Sequence, residues 1–387
     1  MFSKPIAASR TPSGVIVVAG LVADKHSIVA EGLATSGAAL WSVAVLDGVS
    51  WGANAALRVL PAAAGAGVLW RGSRGDKAVT QLVTVSAKGE VSGAPLDVGV
   101  APCATDDRIA WLDRSKGEVR VVTWPWVGPP SPSTLGLKGE RDPTLVCGNS
   151  KVFLIGEGED DITVSADGAD APQVFLRDRD FPGQEEQEHD AYVNADVLGM
   201  VRISTGGQLD VKELTPAQPS SPWRRLSTKL LPDDDVVAVD ADERALAVVF
   251  TREAGDRCAS SSAESVHVAR APRGQPTDAS AESSFEVAPY DCDRDRGPYW
   301  TGGTRDAMTV AWVERAPKVE GTSAPIAALA YRAFTAGPLA ELHRIEVPAD
   351  DIVPAGCDRE RCYAVALVRA PGTDDMQPEA VRLLSYP

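Results

Sequence analysis

The sequence predicts an all-β fold made of one repeated four-stranded unit, and three observations carry that prediction. Residues 109–124 read IAWLDRSKGEVRVVTW, and residues 310–334 read VAWVER, a polar loop and IAALAYRAF, so the same strand, loop, strand pattern occurs twice. The pattern recurs along the chain at an even spacing. Finally, 34 glycines and 28 prolines are too many turn formers for long helices, and no long amphipathic helical pattern appears. Short strands repeating every roughly 40–50 residues indicate a β-propeller of four-stranded antiparallel blades.

Taken in order, the second strands of the units are expected at residues 26–32, 68–71, 109–113, 151–156, 198–204, 245–252, 308–315 and 362–370. With Ser27, Val68, Ile109, Val152, Leu198, Ala245, Thr309 and Tyr363 as anchors, successive separations are 41, 41, 43, 46, 47, 64 and 54 residues. The last two are lengthened by insertions. A short apolar innermost strand precedes each anchor, as at 144–147 and 352–356, and a third strand of alternating polarity follows, as at 118–124 and 264–270. This gives eight blades, with seven as the alternative, because the apolar runs of residues 14–51 fit several strand assignments. The last unit ends with 380–387, a third strand without a fourth. Residues 3–9 are expected to fill that place by pairing with Ala380–Tyr386, which closes the propeller and removes two open edges. The repeat runs unbroken, so residues 1–387 are read as one domain.

Composition restricts the partners. With 54 acidic and 38 basic residues the formal net charge is −16, which argues against nucleic acid and against an anionic membrane surface, both of which call for clustered Lys and Arg. The longest apolar run, residues 15–23, is about half the length that spans a bilayer and fits a buried strand, so no transmembrane segment is expected. Nothing suggests self-association, and a monomer is expected.

Six cysteines in a loop-rich acidic chain point to an oxidising compartment. In a propeller, the loops between second and third strands and those between blades share one rim. Cys258 and Cys292 both fall there, flanking an insertion, and are expected to form a disulfide. Cys357 and Cys362 face each other across a hairpin turn and are expected to form another. Cys103 and Cys147 occupy matching positions in consecutive units, but their approach is not readable from sequence. The N-terminal residues lead into no signal-peptide core, so the expectation is a periplasmic or extracellular protein whose leader has been removed, with the cytoplasm as the alternative.

The same rim is acidic. Asp178, Asp180, Glu185, Glu186, Glu188 and Asp190 fall in one loop between blades, and Asp233, Asp234 and Asp235 in the next. A basic protein or cell-surface ligand is the partner such a rim suits. Of the tryptophans, Trp70, Trp111 and Trp312 recur on the second strand and are assigned to packing, whereas Trp300 lies nearer a loop and is a candidate for ligand contact. Asp291, Asp293 and Asp295 alternate as in a calcium loop, although Gly297 comes one place late and position twelve is Gly302 instead of glutamate. Calcium is therefore the one cofactor considered, set against a solvated loop whose arginines neutralise its acids locally.

Catalytic signals are sparse. There is no Gly-x-Ser-x-Gly elbow, no phosphate loop and no dinucleotide fingerprint, and His26, His189, His267 and His343 are dispersed, so no catalytic residue is assigned. The Ala110-Trp111-Leu112-Asp113-Arg114 and Ala311-Trp312-Val313-Glu314-Arg315 strands, with the repeat length, resemble bacterial WD40-like and TolB-like propellers. The Gly-His and Trp-Asp pairs of true WD40 repeats are missing, as are sialidase Asp boxes. The resemblance implies a binding scaffold and carries over no catalytic residue. The leading expectation is a non-enzymatic scaffold; the rival is a hydrolase or lyase acting on a polysaccharide or lactone at the central channel.

Overall fold

The computed structural model describes residues 3–387 except 23–25, 50–54, 75–76, 125–128, 137–140, 159–160, 168–172, 178–185, 215–221, 254–263, 274–281, 316–325, 335–338 and 369–379. Among the described residues every regular element is a strand. Among the described residues no helix is long and apolar enough to cross a membrane.

Seven antiparallel sheets follow one another in chain order. The first holds β1 (Ser3–Arg10), β2 (Ile16–Val22), β3 (Ser27–Leu33) and β4 (Ala39–Asp47). The second holds β5 (Ala56–Ala62), β6 (Gly65–Arg74), β7 (Lys77–Ser86) and β8 (Val91–Asp97). The third holds β9 (Val100–Ala104), β10 (Arg108–Asp113), β11 (Glu118–Thr123) and β12 (Ser131–Gly136). The fourth holds β13 (Arg141–Cys147), β14 (Val152–Glu157), β15 (Asp161–Ala166) and β16 (Gln173–Arg177). The fifth holds β17 (Glu186–Asn194), β18 (Val197–Ser204), β19 (Gln208–Leu214) and β20 (Arg224–Lys229). The sixth holds β21 (Asp234–Ala241), β22 (Ala245–Glu253), β23 (Glu264–Pro272) and β24 (Ser283–Ala288). The seventh has six strands: β25 (Asp295–Gly303), β26 (Met308–Arg315), β27 (Ile326–Phe334), β28 (His343–Cys357), β29 (Cys362–Val368) and β30 (Ala380–Tyr386).

Three expectations change. The sheets number seven, because the 15-residue strand β28 runs without a break through what reads as the end of one unit and the start of the next. The anchor Ser27 opens β3, a third strand; the second strand is β2, whose seven residues are all buried. The N-terminal strand does not pair with β30 either. β1 pairs antiparallel with β2, Arg10 opposite Ile16, and so completes the first sheet.

Second strands explain the packing. The described residues of β14, β18, β22, β26 and β29 are buried except at the strand ends. A strand buried on both faces reads as a continuous apolar run, not an alternation, and requires another sheet on each side. Trp70 and Trp312 are fully buried and Trp111 nearly so, as their recurrence suggested.

Contacts divide the chain into two compact units, Met1–Phe175 with Ala349–Gly356 and Tyr363–Ser385, and Leu176–Pro348 with Cys357–Cys362 and Tyr386–Pro387. Within the first, apolar layers join the first sheet to the second (Val17, Ala30 and Val45 against Val68 and Trp70), the second to the third and the third to the fourth. A further layer sets Ile6, Ile16 and Val18 against Ala355, Tyr363 and Val365, so the ends of the chain meet face to face. In the second unit, Val201 and Val211 pack with Leu246 and Phe250, and Val249 and Val268 with Val310 and Trp312.

The turns after the first strands form a second repeat, one made of polar atoms. The N–H of Thr105, Gly148, Asp242, Thr304 and Asp358 each donates to the carbonyl three residues on, at 2.8–2.9 Å. A side chain caps three of these turns: Thr105 Oγ1 accepts from the Arg108 N–H (3.0 Å), Asp242 Oδ1 from Arg244 and Ala245 (both 2.7 Å), and Asp358 Oδ1 from Glu360 and Arg361 (both 2.8 Å). Backbone bonds then tie turn to turn, Ala63 to Asp106 and Asp106 to Asn149 in the first unit, Arg305 to Arg359 in the second.

Two disulfides lie on these turns. Cys103–Cys147 joins β9 to β13, with Cα atoms 5.7 Å apart, which resolves the pair left open by the sequence. Cys357–Cys362 closes the β28–β29 hairpin as expected, and Gly302 of β25 runs so close that a Cβ there would lie 2.3 Å from Cys357 Sγ. Cys292 is also disulfide-bonded, while its expected partner Cys258 lies outside the described residues.

Bridging residues 44 apart constrains the unfolded chain more than bridging residues 5 apart. Replacing Cys103 and Cys147 by Ser should therefore lower the unfolding free energy by about 4 kcal/mol, against about 2 kcal/mol for the Cys357 and Cys362 pair. Urea denaturation of the two double variants checks this; equal losses would contradict it.

Candidate functional site

The acidic tripeptide expected on the rim lies beside a cleft of about 420 Å³ in the second unit. One wall is the turn after β18, where Gly207 donates to Ser204 O (2.7 Å) and accepts from the Leu230 N–H (2.8 Å). Gly207 has φ +76° and no room for a side chain, since a Cβ would sit 2.1 Å from Leu230 O. The other wall is Lys229 to Asp235, the connection from β20 into β21. Leu231 is 50% exposed there.

The three aspartates have different roles. Asp233 and Asp235 are exposed, and Asp235 faces the cleft. Asp234 is buried: it accepts from Arg252 Nε at 2.7 Å and Arg252 Nη2 at 2.8 Å, a two-pronged ion pair, and from the Leu231 N–H at 2.8 Å. Its carboxylate shapes the connection and is spent on that role. Glu186 opens β17 with its backbone opposite Ser204, next to the same turn. Asp178, Asp180 and Glu185 lie outside the described residues.

Trp300, the aromatic candidate, is part-buried in β25 and donates from Nε1 to the Tyr386 hydroxyl at 2.7 Å. The calcium-like acids are not drawn together. Asp291 accepts from the Asp293 N–H at 3.1 Å, Asp293 is exposed, and Asp295 begins β25 opposite Arg315. Among the described residues no three His, Cys, Asp or Glu side chains gather in a metal-holding arrangement.

The arginines of that loop have a partner the sequence did not reveal. Glu314, at the end of β26, is fully buried and accepts from Arg294 Nη1 (2.9 Å), Arg344 Nε (2.7 Å) and Trp312 Nε1 (3.3 Å), with Arg296 Nε at 3.5 Å. Burial alone would raise its pKa, but hydrogen bonding and charge from Arg344, then Arg296, hold it below the usual range. The one hint in the sequence was a glutamate closing an otherwise apolar strand.

Serine and histidine also meet, in β23. Ser265 Oγ lies 2.8 Å from His267 Nε2, which stacks on Phe250 with ring centres 5.2 Å apart. Ser265 is fully buried. Burial, with Arg252 nearby, lowers the histidine pKa.

Two stability predictions follow from these carboxylates. Asp234→Asn leaves Arg252 facing an amide and should cost about 2–3 kcal/mol, while Asp233→Asn and Asp235→Asn should each stay within about 0.5 kcal/mol of the parent in urea denaturation. Glu314→Gln should also destabilise the chain at neutral pH. A carboxylate whose folded pKa is depressed contributes fully above its ordinary value of 4.5 and loses that contribution as pH falls through the folded value. The gap between parent and Glu314→Gln should therefore narrow in acid; a gap constant from pH 7 to pH 3 would refute the assignment.

The chain matches no family model and no curated protein. Among solved structures it is similar to a prolyl endopeptidase (TM-score 0.55, 14% identity, covering 94% of this chain and 54% of that one). A post-proline cleaving enzyme from Rickettsia typhi gives a TM-score of 0.51 at 8% identity, covering 93% and 57%. The WD40 domain of SCAP from fission yeast gives 0.50 at 9% identity, covering 100% and 95%. The chain spans about half the length of the two peptidases. At these identities the likeness concerns the fold alone, which is a β-propeller.

Proposed function

We propose that this chain is a non-enzymatic binding scaffold, monomeric and housed in an oxidising compartment outside the cytoplasm, that presents its acidic rim to a basic protein or cell-surface ligand. The observation that carries this reading is the cleft beside Asp233–Asp235: exposed carboxylates at Asp233 and Asp235 adjoin a half-exposed Leu231, giving a patch that suits a basic side chain with an apolar stem. Its shape is set by Gly207 and by the buried Asp234–Arg252 pair, so the patch is preorganised. The disulfides Cys103–Cys147 and Cys357–Cys362 favour the oxidising compartment.

A hydrolase or lyase has less in its favour. Ser265 is buried beside its histidine, and the likeness to proline-specific peptidases is one of fold over about half their length.

Titrating the full chain with a fluorescent octalysine peptide tests the reading. Asp233→Asn with Asp235→Asn should weaken binding by about three- to tenfold at low salt and flatten its salt dependence, with the melting temperature unchanged. Equal affinity of parent and double variant at low salt would remove this cleft from the interface.

A further inference from the structure

The first unit holds a larger cavity, about 670 Å³, at the ends of β5, β6 and β7 and the connection into β9. Its chemistry is opposite to that of the acidic rim. Arg58 and Arg71 both line it, and among the described residues no Asp or Glu does. In the β5–β6 register Arg58 lies opposite Leu69 and Ala56 opposite Arg71, so the two arginines sit diagonally on one face of the sheet. Diagonal neighbours are about 7 Å apart, close enough for two guanidiniums to take hold of one dianionic group.

Neither arginine hydrogen-bonds or ion-pairs with any described residue. By contrast, Arg108, Arg120, Arg244, Arg252, Arg273, Arg294 and Arg344 all meet carboxylates. Two like charges side by side with no counter-charge among the described residues repel each other, and an anion in the cavity removes that repulsion.

The rest of the wall suits an apolar body. Val100 is 42% exposed, and the buried Leu69 and Val98 also line the cavity. Gly72 and Gly99 line the cavity and have no room for a side chain: a Cβ on Gly72 would lie 2.2 Å from the Trp70 ring, and one on Gly99 1.8 Å from Leu112 O. Ala101 lines the same wall at φ +49°, a left-handed conformation that costs an alanine energy and is retained where the surroundings enforce it. The volume is in the range of pockets that take drug-sized ligands, roughly 300–1,000 Å³.

We propose that this cavity is a second binding site, specific for a small organic dianion: a phosphate or a pair of carboxylates held by Arg58 and Arg71, carried on an apolar body that covers Val100. It does not depend on the acidic-rim reading. Calorimetric titration of the full chain with phenyl phosphate, with phthalate and with neutral benzyl alcohol tests it. One site per chain is expected for at least one of the two anions and none for the alcohol; whichever anion binds identifies the head group.

Arg58→Gln with Arg71→Gln should weaken the anion by tenfold or more, since each lost charge-assisted contact counts for about a factor of ten. Both side chains are exposed, so the variant should melt with the parent. Replacing both by Lys should restore part of the affinity, and Asp233→Asn with Asp235→Asn should leave it unchanged. No heat with either anion at millimolar concentration, equal binding of the alcohol, or parent-like affinity in the Gln variant would overturn the proposal.

Discussion

Two-sided burial of the second strands is the constraint on which the rest of this structure depends. A sheet whose second strand is apolar on both faces is stable only between two others, so each sheet gains its stability from its neighbours and none is complete alone. The same constraint acts at the chain ends in the first unit, where Ile6 and Ile16 pack against Ala355 and Val365. Face-to-face burial does there what strand pairing between the termini was expected to do. It leaves β1 free to complete its own sheet.

Apolar layers specify little about how far one sheet is turned or slid on the next. The turns after the first strands supply that, through directional bonds between consecutive turns and through Cys103–Cys147, which couples β9 to β13 covalently. Thr105, Asp242 and Asp358 hold their turns in the shape those bonds require. At the other end of the strands the polar atoms do different work. Asp234 and Glu314 are both buried carboxylates satisfied by arginine, and each fixes a connection between sheets instead of offering itself to solvent.

Both proposed sites lie where the connections between sheets meet the facing ends of second and third strands, one in each unit. Their charges are opposite. In the acidic cleft the structural carboxylate is buried and its neighbours remain exposed; in the cavity lined by Arg58 and Arg71 no counter-charge is present among the described residues. Scaffolds of repeated sheets commonly carry function on such irregular connections, because the regular layers tolerate variation there.

Much of this was legible in the sequence. The apolar runs, their spacing and the turn formers between them set the strands: six of eight anchors fall on second strands, and Tyr363 falls on the buried β29 of the seventh sheet. The exception, Ser27, shows the limit: residues 3–33 contain three short runs of similar character, and nothing local says which is first. The hairpin pair Cys357 and Cys362 was readable because its geometry is local, whereas Cys103 and Cys147 needed the approach of two sheets. The same division runs through the sites. The sequence by itself determined the strand repeat, the net acidity and the position of Asp233–Asp235 where a connection enters a sheet. Only the tertiary structure decided that Asp234 is consumed by Arg252, that Arg294 and Arg344 turn to Glu314, and that Arg58 and Arg71 share one face of a cavity. Periodicity along a chain records what each residue asks of its own strand, while the pairing of charges is settled between strands whose order and register the chain does not state.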